Sequence, residues 1–236
     1  MIPQDPNITK VELIASALGP LREQVVFVGG CAVGLLITDT AASPVRVTFD
    51  VDLVASVSAL AAYHGMEKQL ARLGFKRDMS PDAPICRWRY RELEVDLMPA
   101  DPNILGFSNR WYPLALTSAV DFRLPSGSDI RLVAAPVFVG TKFEAHANRG
   151  GGDLLASHDL EDIINIVDGR TTLLEEIAAG PDELRAYLRE QCTQLLSAPH
   201  FIDYLPGLIT PGEDLAERAQ TVAERLQVIA HMRESH

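Results

Sequence analysis

The sequence predicts an α+β fold: a mixed β-sheet flanked by helices, followed by a helical C-terminal region. Three observations carry this. Strand-like and helix-like patterns are mixed up to about residue 133, and after that only helical spacing is left. Two runs in the first part, Asp50-Val51-Asp52-Leu53 and Leu93-Glu94-Val95-Asp96-Leu97, alternate apolar and acidic residues with the period of two of a half-buried strand. The organisation expected is an α/β core over residues 1–133 and a helical domain over residues 134–236.

In chain order, residues 9–21 read as a helix, with Thr9 and Glu12 as a capping box and Val11, Ile14, Leu18 and Leu21 as one apolar stripe. Residues 25–28 are a buried strand, and Gly29-Gly30 turns from it into an apolar helix over residues 31–37. A small-residue loop leads to a strand over residues 46–55. An amphipathic helix covers residues 56–73 and stops at Gly74. A short strand over residues 75–78 follows, then a turn-rich loop. Residues 85–90 and 93–98 form a hairpin, and residues 120–124 and 129–133 a second one across Pro125-Ser126-Gly127-Ser128. Five helices complete the chain, over residues 136–147, 157–167, 172–179, 181–196 and 211–232, with Gly150-Gly151-Gly152 separating the first two.

The bulk numbers describe a soluble globular chain of 236 residues, 47% apolar and 22% charged. Asp+Glu outnumber Lys+Arg by 32 to 21, a formal net charge of -11, which argues against a protein coated in nucleic acid but allows a local basic patch. Cys31, Cys86 and Cys192 are far apart and show no metal-binding spacing, which fits a reducing cytosol. No signal peptide is visible in residues 1–6, and no apolar run is long enough for a membrane span, so a cytoplasmic location without membrane attachment is expected.

Asp50 and Asp52 point to one face of their strand, and two like charges side by side are kept most readily when a cation lies between them. Hard oxygen ligands of this type suit Mg²⁺. Asp96 brings a third carboxylate on a separate strand, and three such groups can hold two metal ions about 4 Å apart for phosphoryl-type chemistry. Gly29 and Gly30 allow backbone N–H groups to approach a phosphate, although a Gly-Gly pair by itself is more often a plain tight turn.

The order Val28-Gly29-Gly30, then Arg46-x-Thr48-x-Asp50-x-Asp52, then Glu94-Val95-Asp96-Leu97-Met98 resembles the nucleotidyltransferase superfamily that includes DNA polymerase beta. The Arg-x-Thr-x-Asp-x-Asp form, with Lys142 in Val139-Gly140-Thr141-Lys142-Phe143, Asn148-Arg149-Gly150 and Ser157-His158-Asp159-Leu160-Glu161-Asp162, is similar to its AbiEii-type, toxin-like branch. The resemblance covers about residues 24–170 and departs from the superfamily pattern at Gly30, where many members carry serine. It implies a nucleotidyltransferase-type sheet and transfer of an NMP from an NTP to a hydroxyl acceptor, whether RNA, protein or small molecule. Asp50, Asp52 and Asp96 would bind two Mg²⁺ ions, with Mn²⁺ as the alternative, and Asp96 would also be the general base. Gly29, Gly30, Thr48 and Lys142 would contact the nucleotide, and an antitoxin protein would be the partner.

Several residues keep two readings. Arg46 and Thr48 brace the carboxylate strand or reach a phosphate. Asp159 and Asp162 are a cap and a first-turn acid, or they orient Lys142 or Arg149. His158 is expected to be a capping or surface group. Trp111, between Arg110 and Tyr112, is expected to anchor its loop to the core rather than stack on a base. The rival functions are a catalytically silent nucleotide-binding or interaction module with the same fold, and a metal-dependent phosphohydrolase.

Overall fold

The computed structural model describes residues 5–42, 44–57, 59–149, 154–212 and 214–232. Along the chain the elements are α1 (Ile8–Leu18), β1 (Val25–Val28), α2 (Val33–Leu36), β2 (Asp50–Ala55), α3 (Leu60–Arg72), β3 (Lys76–Arg77), β4 (Arg87–Tyr90), β5 (Leu93–Pro99), α4 (Pro102–Leu105) and α5 (Tyr112–Thr117). They continue with β6 (Val120–Arg123), β7 (Asp129–Leu132), α6 (Ala135–Asn148), α7 (His158–Gly169), α8 (Leu173–Ala179), α9 (Asp182–Ser197), α10 (Phe201–Tyr204) and α11 (Leu215–Ala230).

The chain divides into two compact units. Among the described residues, a sheet unit comprises Pro6–Ala32 and Arg46–Ala134, and a helical unit comprises Val33–Val45 and residues 135–232 together with Asp5. The fold class is α+β, as expected.

The sheet unit grows outward from β1, whose four residues carry no polar side chain and are all buried. Its seven strands are ordered β3-β4-β5-β2-β1-β7-β6. β2 pairs with β1 antiparallel and with β5 parallel, while β4 continues the sheet beyond β5. On the other side β1 pairs in parallel with β7, Phe27 opposite Leu132. Pattern reading foresees both hairpins but not this long-range pairing. Val51, Leu53, Val95 and Leu97 form the apolar side of the central strands and are fully buried. α3 seats Tyr63, Met66 and Leu70 in the core, and the Tyr63 hydroxyl donates to the Leu97 carbonyl over 2.7 Å.

In the helical unit, α7 is buried along most of its length and α11 contributes Val222, Leu226 and Ile229 to the core. An ion pair fixes these two helices: Arg218 donates to Asp168 through Nε at 2.9 Å and Nη2 at 2.6 Å. Gly169 lies so close to Ile37 that an added Cβ would be 2.9 Å from it.

The elements differ from the sequence reading at their ends and in short pieces. The helix expected over residues 31–37 is a 3₁₀ turn, Gly30–Ala32, followed by the four-residue α2. β2 begins at Asp50 rather than at residue 46, because the chain before it bonds to the side chains of Asn7, just ahead of α1, and Lys10 instead of to a strand. The short helices α4, α5 and α10 have too few residues to show a period. The expected break at Gly150-Gly151-Gly152 lies outside the described residues. Among the described residues, no helix is long and apolar enough to cross a membrane.

Candidate metal and nucleotide site

The parallel register of β2 and β5 places Asp52 opposite Asp96 and Asp50 opposite Glu94. With side chains alternating along each strand, all four carboxylates lie on one face of the sheet. Oxygens of Asp50, Asp52 and Asp96 come within 4.8 Å of one another. At that spacing each pair of charges repels by on the order of 3 kcal/mol at an effective dielectric of about 20. The sequence-predicted triad is thus brought together.

Gly29 closes over this face. It sits at φ +71°, and a Cβ built on it would lie 1.7 Å from Asp52 Oδ2. Glycine is required here twice, by backbone conformation and by the carboxylate packed against it. Gly30 follows in the 3₁₀ turn and is buried.

Arg87 is the residue the sequence reading missed. It lies on β4 directly opposite Asp96. Its Nε and Nη2 donate to the two oxygens of Asp96, each over 2.8 Å, while Nη1 is 2.6 Å from Glu94 Oε2 and Nη2 is 3.8 Å from Asp50 Oδ2. These bonds, those to Asp96 first, hold the guanidinium pKa above its ordinary value. A signal for this was present: a two-residue turn at Arg91-Glu92 pairs Tyr90 with Leu93 and, counting outward, Arg87 with Asp96. The neighbouring Cys86 thiol is pushed up to about 12 by burial first and by Asp96 second, which makes it an unreactive core side chain.

Thr48 is 2% exposed. Its N–H donates to Asn7 Oδ1 over 2.9 Å, and its hydroxyl lies 3.4 Å from both that oxygen and the Asp50 carbonyl. Asn7 also donates to the Arg46 carbonyl over 2.9 Å, and Lys10 donates to the Thr48 carbonyl. Of the two readings of Thr48, these bonds are those of a brace that fixes the entry to β2.

In the helical unit Lys142 is buried on α6, with Nζ 3.1 Å from Asp159 Oδ1 and 2.7 Å from Asp162 Oδ2. Arg149 reaches the other oxygen of Asp159 over 2.6 Å. The two acids therefore orient Lys142 and Arg149, and the cap of α7 is Ser157, which accepts from the Leu160 N–H. His146, not singled out by the sequence, lies 2.7 Å from the Ser157 hydroxyl, and burial lowers its pKa. His158 is an exposed surface group beside Glu161. Trp111 is buried with Arg110 over its ring at 5.0 Å, the anchoring arrangement.

The donor set of the sheet face consists of carboxylate oxygens only, has three negative charges in excess of Arg87, and fits a hard divalent cation. No protein-family model matches the chain, and neither does any curated protein. Among solved structures the chain is similar to an antigenic nucleotidyltransferase-like protein from Paracoccidioides brasiliensis, with 20% identity, 86% of this chain and 91% of that chain covered, and a TM-score of 0.51. It is also similar to JHP933 from Helicobacter pylori, with 12% identity, 96% and 93% covered, and a TM-score of 0.48. At these identities the likeness is one of fold.

Proposed function

We propose that this chain is a metal-dependent nucleotidyltransferase that moves an NMP from an NTP onto a hydroxyl acceptor. The observation that carries the reading is the meeting of Asp50, Asp52 and Asp96 on one sheet face beneath the Gly29 turn. These carboxylates would hold two Mg²⁺ ions, or Mn²⁺; bound there, the metal neutralises triphosphate charge and lowers the pKa of the acceptor hydroxyl.

The chain's own residues do the rest. Asp96 accepts the proton of the acceptor hydroxyl as that oxygen attacks the α-phosphorus, and the α–β bridging oxygen leaves with pyrophosphate. Arg87 takes one lone pair on each Asp96 oxygen, which leaves a second on each for the metal and the proton. The N–H groups of Gly29 and Gly30 hold phosphate oxygens, and the missing side chain at Gly29 lets them approach. The resemblance also assigns Lys142 to triphosphate charge, for which it would have to leave Asp159 and Asp162. The work is mostly positioning and charge stabilisation.

The test is a thermal shift with each of the four NTPs and Mg²⁺ or Mn²⁺, on the wild type and on Asp50→Ala/Asp52→Ala, followed by detection of pyrophosphate. One NTP should stabilise the wild type and not the double variant; no response to any NTP with either metal would overturn the reading. The AbiEii-type resemblance extends the proposal to a toxin held by an antitoxin. Induced expression should then arrest growth, and the same double variant should not. One observation favours the alternative of a silent nucleotide-binding module: Arg87 occupies both oxygens of Asp96. NTP binding without pyrophosphate release in cell extract would select that alternative.

A further inference from the structure

Charge is unevenly distributed along this acidic chain. Seven of its 21 Lys and Arg lie within residues 68–91, a stretch with two acidic residues, Asp78 and Asp82. The sheet gathers much of this charge at one edge. Lys76 on β3 is opposite Arg89 on β4, and Arg89 is opposite Glu94 on β5. Lys76, Arg87 and Arg89 therefore share the face of Glu94, Asp96, Asp50 and Asp52. Across four strands that face runs from acidic at β2 and β5 to basic at β4 and β3.

An open groove of about 600 Å³ lies at the basic edge, lined among others by Lys76, Arg77, Asp78, Ser80, Arg89 and Arg91. Its one carboxylate is already engaged: Asp78 accepts from the Ser80 N–H at 2.9 Å, the Ser80 hydroxyl at 2.6 Å and Arg89 Nε at 2.6 Å. Arg77 is paired with Glu67. Among the described residues, Lys76 has no ion pair, and Arg91, held at φ +54°, has only the Tyr90 ring at 5.7 Å. Both are exposed.

We propose that this groove binds the phosphate backbone of a single-stranded nucleic acid. Its cations come from β3, β4 and the β4–β5 turn and line an open surface, which suits a row of phosphates better than one enclosed anion. Arginine forks match phosphate oxygens in pairs. Two strand spacings, about 10 Å, separate β3 from the strand of Asp96. A strand lying in the groove can therefore present a terminal hydroxyl to the carboxylates. Identifying the bound strand as the acceptor rests on the transferase reading; the binding itself does not.

The experiment is fluorescence anisotropy of labelled single-stranded 12-mers, RNA and DNA, against salt. The wild type is compared with Lys76→Glu/Arg91→Glu and with Arg22→Glu/Arg123→Glu, which changes the net charge equally at the β6–β7 edge. The groove variant should bind about tenfold more weakly, with a salt slope shallower by about 1.4, or about 0.7 for each lost phosphate contact on a single strand. The control pair should bind as the wild type does, and the groove variant should keep the wild-type melting temperature. No wild-type binding of either 12-mer at low salt, or equal losses in both variants, would overturn the proposal. NTP thermal shifts on the same proteins keep the two ideas apart. A groove effect without any NTP response sinks the transferase reading alone, and an NTP response without 12-mer binding sinks the groove alone.

Discussion

The two clusters of charge in this molecule are built on opposite plans. In the helical unit two cations, Lys142 and Arg149, meet two carboxylates, Asp159 and Asp162, whose side chains are 4% and 1% exposed. The charges cancel and the acids are closed off from water. On the sheet face four carboxylates, Asp50, Asp52, Glu94 and Asp96, meet one guanidinium, and Asp50 keeps 37% of its side chain exposed. A charge-balanced network around buried acids is complete as it stands, even with 73% of the Arg149 side chain exposed. An unbalanced, open one holds repulsion that an incoming cation relieves, which is why the second and not the first reads as a metal site.

The comparison breaks most visibly at Lys142. Lys142→Met keeps the apolar stem but leaves Asp162 buried without its cation, so unfolding should come about 3–5 kcal/mol sooner. In a thermal melt this is a drop of roughly 10 °C. A loss below about 1 kcal/mol would mean that the network is not a structural one.

Next in size is the glycine turn. Gly29→Ala adds a clash with Asp52 to an unfavourable φ and should cost about 2–3 kcal/mol in denaturant unfolding. In Gly29→Ala/Asp52→Ala the contacts with the carboxylate are gone while that with the Asp52 Cβ at 2.6 Å stays, so only part of that loss should return. Full additivity of the two changes would show that the turn does not rest on the carboxylate.

A smaller effect sharpens the sheet side. Arg87 is a cation already competing for Asp96, so Arg87→Gln should bind Mn²⁺ about tenfold more tightly, a difference of about 1.4 kcal/mol by calorimetry. Weaker Mn²⁺ binding would instead make Arg87 the support that keeps Asp96 in place.

The smallest effect is at Asp78, the acid of the basic groove. The Ser80 hydroxyl and N–H, with Arg89, hold the Asp78 carboxyl down at about 2. A carboxylate with a lowered folded pKa contributes stability above its ordinary value near 4 and loses it as pH falls toward 2. Ser80→Ala should raise the Asp78 midpoint toward 4 in an NMR titration. An unchanged midpoint would leave the Ser80 N–H and Arg89 as the cause.

How much of this was legible depended on distance along the chain. Asp50 and Asp52 sharing a face is a matter of two residues and local pleat, and Asp96 followed from the same period. The glycine turn was legible as a turn, but its second reason, the contact with Asp52, needs the register of β1 on β2. Arg87 was legible only to a reader who fixed the hairpin turn first. Thr48 and Asn7 are joined across 41 positions, and β1 with β7 across the whole sheet unit, and neither leaves a mark in any short window. The helices of the C-terminal part were long and periodic enough to be found; α10 was not.

That pairing of β1 with β7 sets an order of events during synthesis. Every strand that carries a site carboxylate has been synthesised once β5 is made. β1 at that moment is still an edge, four apolar residues with one side of their backbone unpaired. Its second neighbour arrives about 30 residues later, an interval of a few seconds at about 5–20 residues per second. During those seconds the most apolar strand of the protein is open to any other chain that can pair with it. The strands of the acidic centre are thus made early, and the nascent chain depends on the last hairpin of the sheet to close its most adhesive edge.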